Sequence, residues 1–184
     1  MAATTSACDL GASWSDFVLP GTDGREWRLD DVKGPRATLV MFICNHCPYV
    51  QAVLDRIIRD AVELQAAGIG VVAISSNDAA AYPDESFEKM RMLAEARGFT
   101  FPYLHDEAQT VARAYGAVCT PDFFGFNAAG QLQYRGSLDA SGRRPGPSDA
   151  RRELFEAMMQ IARTGQGPAD QVPSIGCSIK WKAA

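Results

Sequence analysis

Ala37–Ile43 (Ala-Thr-Leu-Val-Met-Phe-Ile) is a nearly continuous apolar, β-rich run, and the residues that follow change period. A strand buried on both faces reads this way, because it has no solvent side to keep polar. From Tyr49 to Ala67 apolar residues recur at Val50, Val53, Leu54, Ile57, Ile58, Ala61 and Leu64, and the pattern stops at Gly68. That is the period of about 3.6 residues expected of an amphipathic helix, closed by a glycine. Ile69–Ile74 is a second buried strand. Strand, helix, strand in this order predicts a parallel pair joined by a right-handed crossover.

The flanking segments extend that unit. Phe17-Val18-Leu19 and Trp27-Arg28-Leu29 enclose Pro20-Gly21-Thr22-Asp23-Gly24, whose Asp-Gly signals a turn, so the chain opens with a hairpin. Ser86–Arg97 reads as a helix ended by Gly98, and Phe101–Leu104 as a short strand. Asp106-x-x-Gln109 is a variant capping box that would open a helix through Tyr115, closed by Gly116. Asp122–Phe126 and Leu132–Arg135 flank Ala128-Ala129-Gly130 as an antiparallel hairpin. Ser148 or Asp149 would cap a last helix to about Thr164, with Gly165 at its end. The expectation is one α/β domain over 1–184: a central mixed sheet with helices on both faces, an N-terminal β-hairpin, and a C-terminal tail extension. That tail, 166–184, carries Ile175, Ile179 and Trp181, which gives it reason to pack back on the body.

Charge and composition remove several classes. With 18 Lys+Arg against 22 Asp+Glu the net charge is −4, which lacks the basic stripe of a nucleic-acid binder. Met1–Asp16 has no cationic start or apolar run of leader type, and polar Asn45, His46 and Gln51 interrupt the one long apolar stretch. The expectation is a cytoplasmic protein with no membrane partner and undetermined oligomeric state. Five cysteines are too few for a disulfide scaffold and odd in number. In a reducing compartment, closely spaced cysteines point to redox or metal chemistry.

Cys44-Asn45-His46-Cys47-Pro48 stands where the buried strand gives way to the helix. A helix N-terminus offers unpaired N–H groups and partial positive charge, which stabilise a thiolate. Pro48 suits the first helical position, where its missing N–H costs nothing. Cys47 then falls at the N-cap, with Cys44 within disulfide reach, and a cationic His46 would depress either thiol further. Two classes of chemistry follow. One is a dithiol–disulfide pair; the other is a zinc or copper(I) module using Cys44, His46 and Cys47 with Cys119 or Cys177.

Phe42-Ile43-Cys44-Asn45-His46-Cys47-Pro48-Tyr49-Val50, the opening hairpin, Thr120-Pro121-Asp122-Phe123-Phe124 and Pro173-Ser174-Ile175-Gly176-Cys177 together resemble the thioredoxin superfamily. More narrowly, the chain resembles its redoxin or peroxiredoxin-like (AhpC/TSA-like) members over nearly its whole length. The resemblance implies a thioredoxin-like fold, a cis Pro121 facing the active-site cysteine, and a Thr120 that offers backbone groups to substrate. It implies a thiol–disulfide oxidoreductase cycling Cys44 and Cys47, with His46 and Pro48 in support, a protein or small-molecule disulfide as substrate, and a cytosolic thiol as reductant. No cofactor or metal is implied for that activity. Two registers fit. In the plain Cys-x-x-Cys register Cys44 comes first; counted from Phe42, Cys47 comes first and Val50 replaces the second cysteine. The N-cap argument favours Cys47 as the more acidic thiol. His46 directly before Cys47 resembles the disulfide isomerases, where that histidine stabilises the thiolate. The buried carboxylate of many thioredoxins is replaced by Thr38 or Met41, so proton transfer needs another group or water. Peroxiredoxins carry Pro and Thr or Ser ahead of the peroxidatic cysteine. Here those positions hold Ala37 and Met41 for Cys44, and Val40 and Cys44 for Cys47, which places a peroxidase second.

Cys119 lies two residues before Pro121 and reads either as an auxiliary thiol or as a buried apolar residue. Cys177 is a possible auxiliary thiol brought in by the tail, and Cys8 reads as a surface thiol. His105, Trp14, Trp27, Tyr103 and Tyr115 read as packing residues.

Overall fold

The computed structural model describes residues 2–4 and 10–183. In chain order the elements are β1 (Ala2–Thr4), β2 (Val18–Pro20), β3 (Glu26–Arg28), α1 (Leu29–Val32), β4 (Ala37–Phe42) and α2 (Pro48–Ala66). Then come β5 (Ile69–Ser75), a 3-10 turn (Pro83–Glu85), α3 (Phe87–Arg97), β6 (Tyr103–His105), α4 (Thr110–Tyr115) and β7 (Cys119–Thr120). The chain finishes with β8 (Asp122–Asn127), β9 (Leu132–Gly136), α5 (Glu153–Thr164) and β10 (Ile175–Ser178).

β4 is the axis of the molecule. All six of its residues are buried, and it lies in the centre of a five-stranded sheet ordered β6-β5-β4-β8-β9. It runs parallel to β5, which is parallel to β6, and antiparallel to β8, so the sheet is mixed. Successive side chains leave a strand on opposite faces. Leu39 and Met41 therefore join a cluster with Val53, Leu54, Ile57 and Leu64 of α2 and Leu154, Met158 and Ile161 of α5. Val40 and Phe42 join the other, with Leu29 and Val32 of α1, Val111 and Tyr115 of α4, and Phe17 and Leu19 at the opening hairpin. Each such side chain contributes roughly 1.5–3 kcal/mol relative to exposure. Helices thus cover both faces of the sheet, and the site at the C-terminal end of β4 rests on the most buried strand of the fold. Among the described residues, no helix is long and apolar enough to cross a membrane.

Two helices start later than the sequence pattern suggests. Asp106 is not the first-turn boundary of α4: the helix begins at Thr110, and Asp106 Oδ2 reaches it from upstream, accepting the Ala112 N–H at 2.9 Å while also accepting from Ser76 Oγ at 2.8 Å. Gln109 instead takes a left-handed conformation (φ 61°) ahead of Thr110. Its amide nitrogen donates to the Ser76 and Lys180 carbonyls at 2.7 and 2.8 Å, and its oxygen accepts from the Lys182 N–H at 2.8 Å. The Gln109 amide thus ties the segment after β5 to the tail rather than capping a helix. Likewise α5 begins at Glu153, not near Ser148. The Arg56 guanidinium pairs with Asp139 and donates to Ser141 Oγ, the Gly146 carbonyl and the Pro147 carbonyl, which holds that segment as an irregular loop. Arg152 then pairs with buried Asp60 at 2.6 Å and lies just outside the helix.

The tail lies across the end of the molecule that carries the cysteines. β10 is the middle strand of a separate antiparallel sheet, β1-β10-β7, with Cys177 opposite both Ala2 and Thr120. Ile179 is buried in the second core cluster, Arg113 covers the Trp181 ring at 4.4 Å, and Ile175 stays exposed.

Candidate active site

Cys44 leaves the end of β4 and Cys47 is the N-cap of α2, with Pro48 at the first helical position. The turn between them is only two residues because Ile43 still bonds β5, through its N–H to the Ile74 carbonyl at 3.0 Å. Both cysteines are buried, at 2% and 4% exposure, and none of the four described cysteines is disulfide-bonded. Cys8 lies outside the described residues.

Thr120 joins the pair from the opposite side. Its Oγ1 is 3.1 Å from Cys44 Sγ, and its carbonyl is 3.2 Å from Cys47 Sγ. The Thr120–Pro121 peptide is cis, as the resemblance implies. The main chain of Thr120, expected to be free for a substrate, pairs with Cys177 of the chain's own tail. Gly176 makes this possible, since a Cβ there would meet the Thr120 carbonyl oxygen at 2.1 Å.

The two buried thiols are driven apart in acidity. Cys47 falls to about 4, chiefly because the Cys44 thiol hydrogen-bonds to its sulfur; the Cys177 side chain and backbone and the Val50 amide add to this against the cost of burial. The Val50 N–H favours the anion without forming a regular cap bond. The contact with the Thr120 carbonyl works the other way, since only a thiol can donate to it. Cys44 moves well above the ordinary thiol range, through its bond to Cys47, its burial and the negative charge of Glu85. The arrangement is an anionic Cys47 beside a Cys44 that keeps its proton.

Glu85 is the functional group that sequence reasoning missed. Its side chain is 1% exposed, accepts the Asn45 N–H at 2.8 Å through Oε2, and holds His46 Nδ1 at 2.7 Å through Oε1. Asn45 also donates to the Asp84 carbonyl and accepts from the Tyr103 hydroxyl at 3.0 Å, so the Cys-x-x-Cys turn is pinned at several points. The His46 imidazole is half exposed and faces Glu85, while the groups that acidify Cys47 are thiols and backbone amides. In sequence, Pro83-Asp84-Glu85 looks like the acidic start of a helix, which complements the helix field and conceals a buried carboxylate. Tyr103 packs in the core as its sequence suggests, and its hydroxyl also serves this turn.

Cys119 is fully buried, with Sγ 3.6 Å from the Pro121 carbonyl. Burial and the Asp122 carboxylate push its thiol far up, which disfavours the thiolate. Asp122, fully buried at the start of β8, pairs with Arg135 at 2.9 Å; burial still lifts its carboxyl to about 6. Among the described residues, no group of three His, Cys, Asp or Glu side chains is arranged to hold a metal ion.

A mixed sheet flanked by helices, with a cysteine at the end of its central strand facing a cis-proline, is the plan of a thioredoxin-like protein. Residues 10–135 match the model of the AhpC/TSA family, and the chain belongs to that family. Thiol-disulfide oxidoreductase ResA of Geobacillus thermodenitrificans (strain NG80-2) is 29% identical over 134 residues, covering 70% of this chain and 69% of that one. The crystal structure of an uncharacterized conserved protein from Geobacillus kaustophilus is 44% identical with TM-score 0.93, covering 100% of this chain and 98% of the other. The thioredoxin domain of a thiol-disulfide oxidoreductase from Bacteroides vulgatus superposes with TM-score 0.64 at 14% identity, over 85% of this chain and 99% of that one. This last likeness shows the fold alone.

Proposed function

We propose that the chain is a thiol–disulfide oxidoreductase in which Cys47 attacks a substrate disulfide and Cys44 resolves the product. The observation that carries this reading is the paired thiols at the α2 N-terminus, one acidic and one proton-bearing, both against Thr120. The thiolate is the attacking form, and a helix N-terminus sustains it at neutral pH. Cys47 S⁻ attacks one sulfur of the substrate, forms a mixed disulfide, and expels the other sulfur as a thiolate. Cys44 then loses its proton and attacks the Cys47 sulfur, which closes the Cys44–Cys47 disulfide and releases the second substrate thiol. The substrate leaves reduced by two electrons, and an external thiol reductant resets the pair. The substrate class is a protein or small-molecule disulfide. The curated relative named a thiol-disulfide oxidoreductase supports this class of reaction.

Turnover of insulin or oxidised glutathione with a dithiol reductant tests the reading. Cys47→Ser is expected to abolish turnover and Cys44→Ser to slow it. Full activity in Cys47→Ser would overturn the assignment of the nucleophile.

A further inference from the structure

Cys47 has a second sulfur beside it. β10 runs antiparallel to β7 and sets Cys177 opposite Thr120, the residue whose carbonyl lies 3.2 Å from Cys47 Sγ. Cys177 packs against the core cluster that contains Cys44 and Cys47, and it is the most exposed of the three. The placement is not casual. Gly176 is the residue that lets β10 approach Thr120, and the tail beyond is fixed by Lys180 to Asn77 Oδ1 and Asp78, and by Lys180 and Lys182 to Gln109. A strand held this firmly carries its cysteine to the sulfur that the proposed reaction uses.

We infer that Cys177 is a second resolving thiol, able to displace substrate from Cys47 and close a Cys47–Cys177 disulfide. The inference rests on the reading of Cys47 as the attacking thiol. After Cys47 has formed the mixed disulfide Cys47–S–S–R, Cys177 gives up its proton and attacks the Cys47 sulfur. The Cys47–Cys177 bond forms, the Cys47–R bond breaks, and R leaves as a thiolate that takes up a proton. Substrate is reduced by two electrons, the Cys47/Cys177 dithiol is oxidised by two, and the thiol reductant of the main reaction restores it.

The surroundings of the two resolving thiols differ in sign. Cys44 lies in the field of buried Glu85, which opposes its ionisation, whereas Lys180 favours the Cys177 thiolate. Since the thiolate is what attacks, this gives Cys177 a role that Cys44 fills less readily. Burial first, and then the neighbouring Cys47, hold Cys177 up at about 11; a mixed disulfide on Cys47 removes the second of these and leaves the first.

The test uses the full chain, reduced, then exposed to oxidised glutathione, quenched by acid and alkylation, and mapped by peptide mass. In Cys44→Ser, two glutathione thiols should be released per chain and Cys47 should be found bonded to Cys177. In the Cys44→Ser/Cys177→Ser double variant, one should be released and Cys47 should retain glutathione. A Cys44→Ser protein that holds glutathione on Cys47 with Cys177 free overturns the inference and leaves the proposed function standing. If Cys47 takes no glutathione in any variant, the proposed function itself fails. Should Cys44→Ser not fold, the same mapping of the unaltered chain during turnover decides. A Cys47–Cys177 peptide supports the inference, and its absence throughout the time course refutes it.

Discussion

Replacing Cys44 by alanine removes the largest influence that acidifies Cys47, the thiol that hydrogen-bonds to its sulfur. A hydrogen bond to a charged group contributes roughly 1.5–3 kcal/mol, and an S–H donor belongs at the weak end of that range. At about 1.36 kcal/mol per pKa unit, the loss raises the Cys47 midpoint by about 1–2 units. From about 4 in the unaltered chain, the midpoint should therefore move to about 5–6. It should not return to the ordinary thiol value, because the Cys177 and Val50 donors and the helix terminus remain. Cys44→Ser keeps a donor at the same place and should stay close to the unaltered chain. The assay is ultraviolet thiolate absorbance against pH, with alkylation mapped to Cys47 across the same range. A full pH profile is needed because a less acidic thiolate is a stronger nucleophile, with a Brønsted slope of about 0.4–0.5. At one mildly acidic pH the smaller thiolate fraction and its greater nucleophilicity nearly cancel. The reactivity of the unaltered chain should fall away only as pH drops through about 4. A Cys44→Ala midpoint within a few tenths of the unaltered one would refute the thiol–thiol bond as the cause.

Three further outcomes follow from the same geometry. His46→Ala should leave the Cys47 midpoint in place, since the imidazole faces Glu85; a rise of one unit or more, seen in the same titration, would return His46 to the thiols. Glu85→Gln removes a buried negative charge near Cys44 while its amide oxygen can still accept the Asn45 N–H, so Cys44 should ionise at lower pH. Alkylation of Cys44 against pH in a Cys47→Ser background reads this directly. Arg135→Leu strands the buried Asp122 carboxylate and should cost about 3–5 kcal/mol in denaturant unfolding near neutral pH. Burial already raises the Asp122 carboxyl to about 6, and losing Arg135 raises it further, so the folded state binds that proton more tightly than the unfolded chain. The penalty is therefore greatest above that range and shrinks as pH falls and Asp122 protonates.

The sheet, its crossover and the place of the Cys-x-x-Cys turn were legible in sequence because they depend on local period and on neighbours in the chain. Ala37–Phe42 has no polar residue but Thr38, and a helix period ending at Gly68 leaves few folds open. Pro48 and the N-cap position of Cys47 were readable for the same reason: a strand that stops where a helix starts fixes which residue stands at the junction. The starts of α4 and α5 were not readable, because Gln109 and Arg152 spend their side-chain hydrogen bonds on partners distant in sequence, and Asp106 divides its Oδ2 between Ser76 and the Ala112 N–H of α4. Glu85 was hidden more deeply. It is 41 residues from Cys44, the cysteine it affects, and nothing local distinguishes a buried carboxylate from an acidic helix start; the sequence offered Cys177 as an auxiliary thiol, but the β10–β7 pairing alone decides which sulfur it meets. The order of acidity is tertiary for the same reason. The helix terminus makes Cys47 a candidate, but the field of Glu85, the Thr120 contacts and the third sulfur arise only when separate segments meet, since charges and hydrogen bonds act through space and not along the chain.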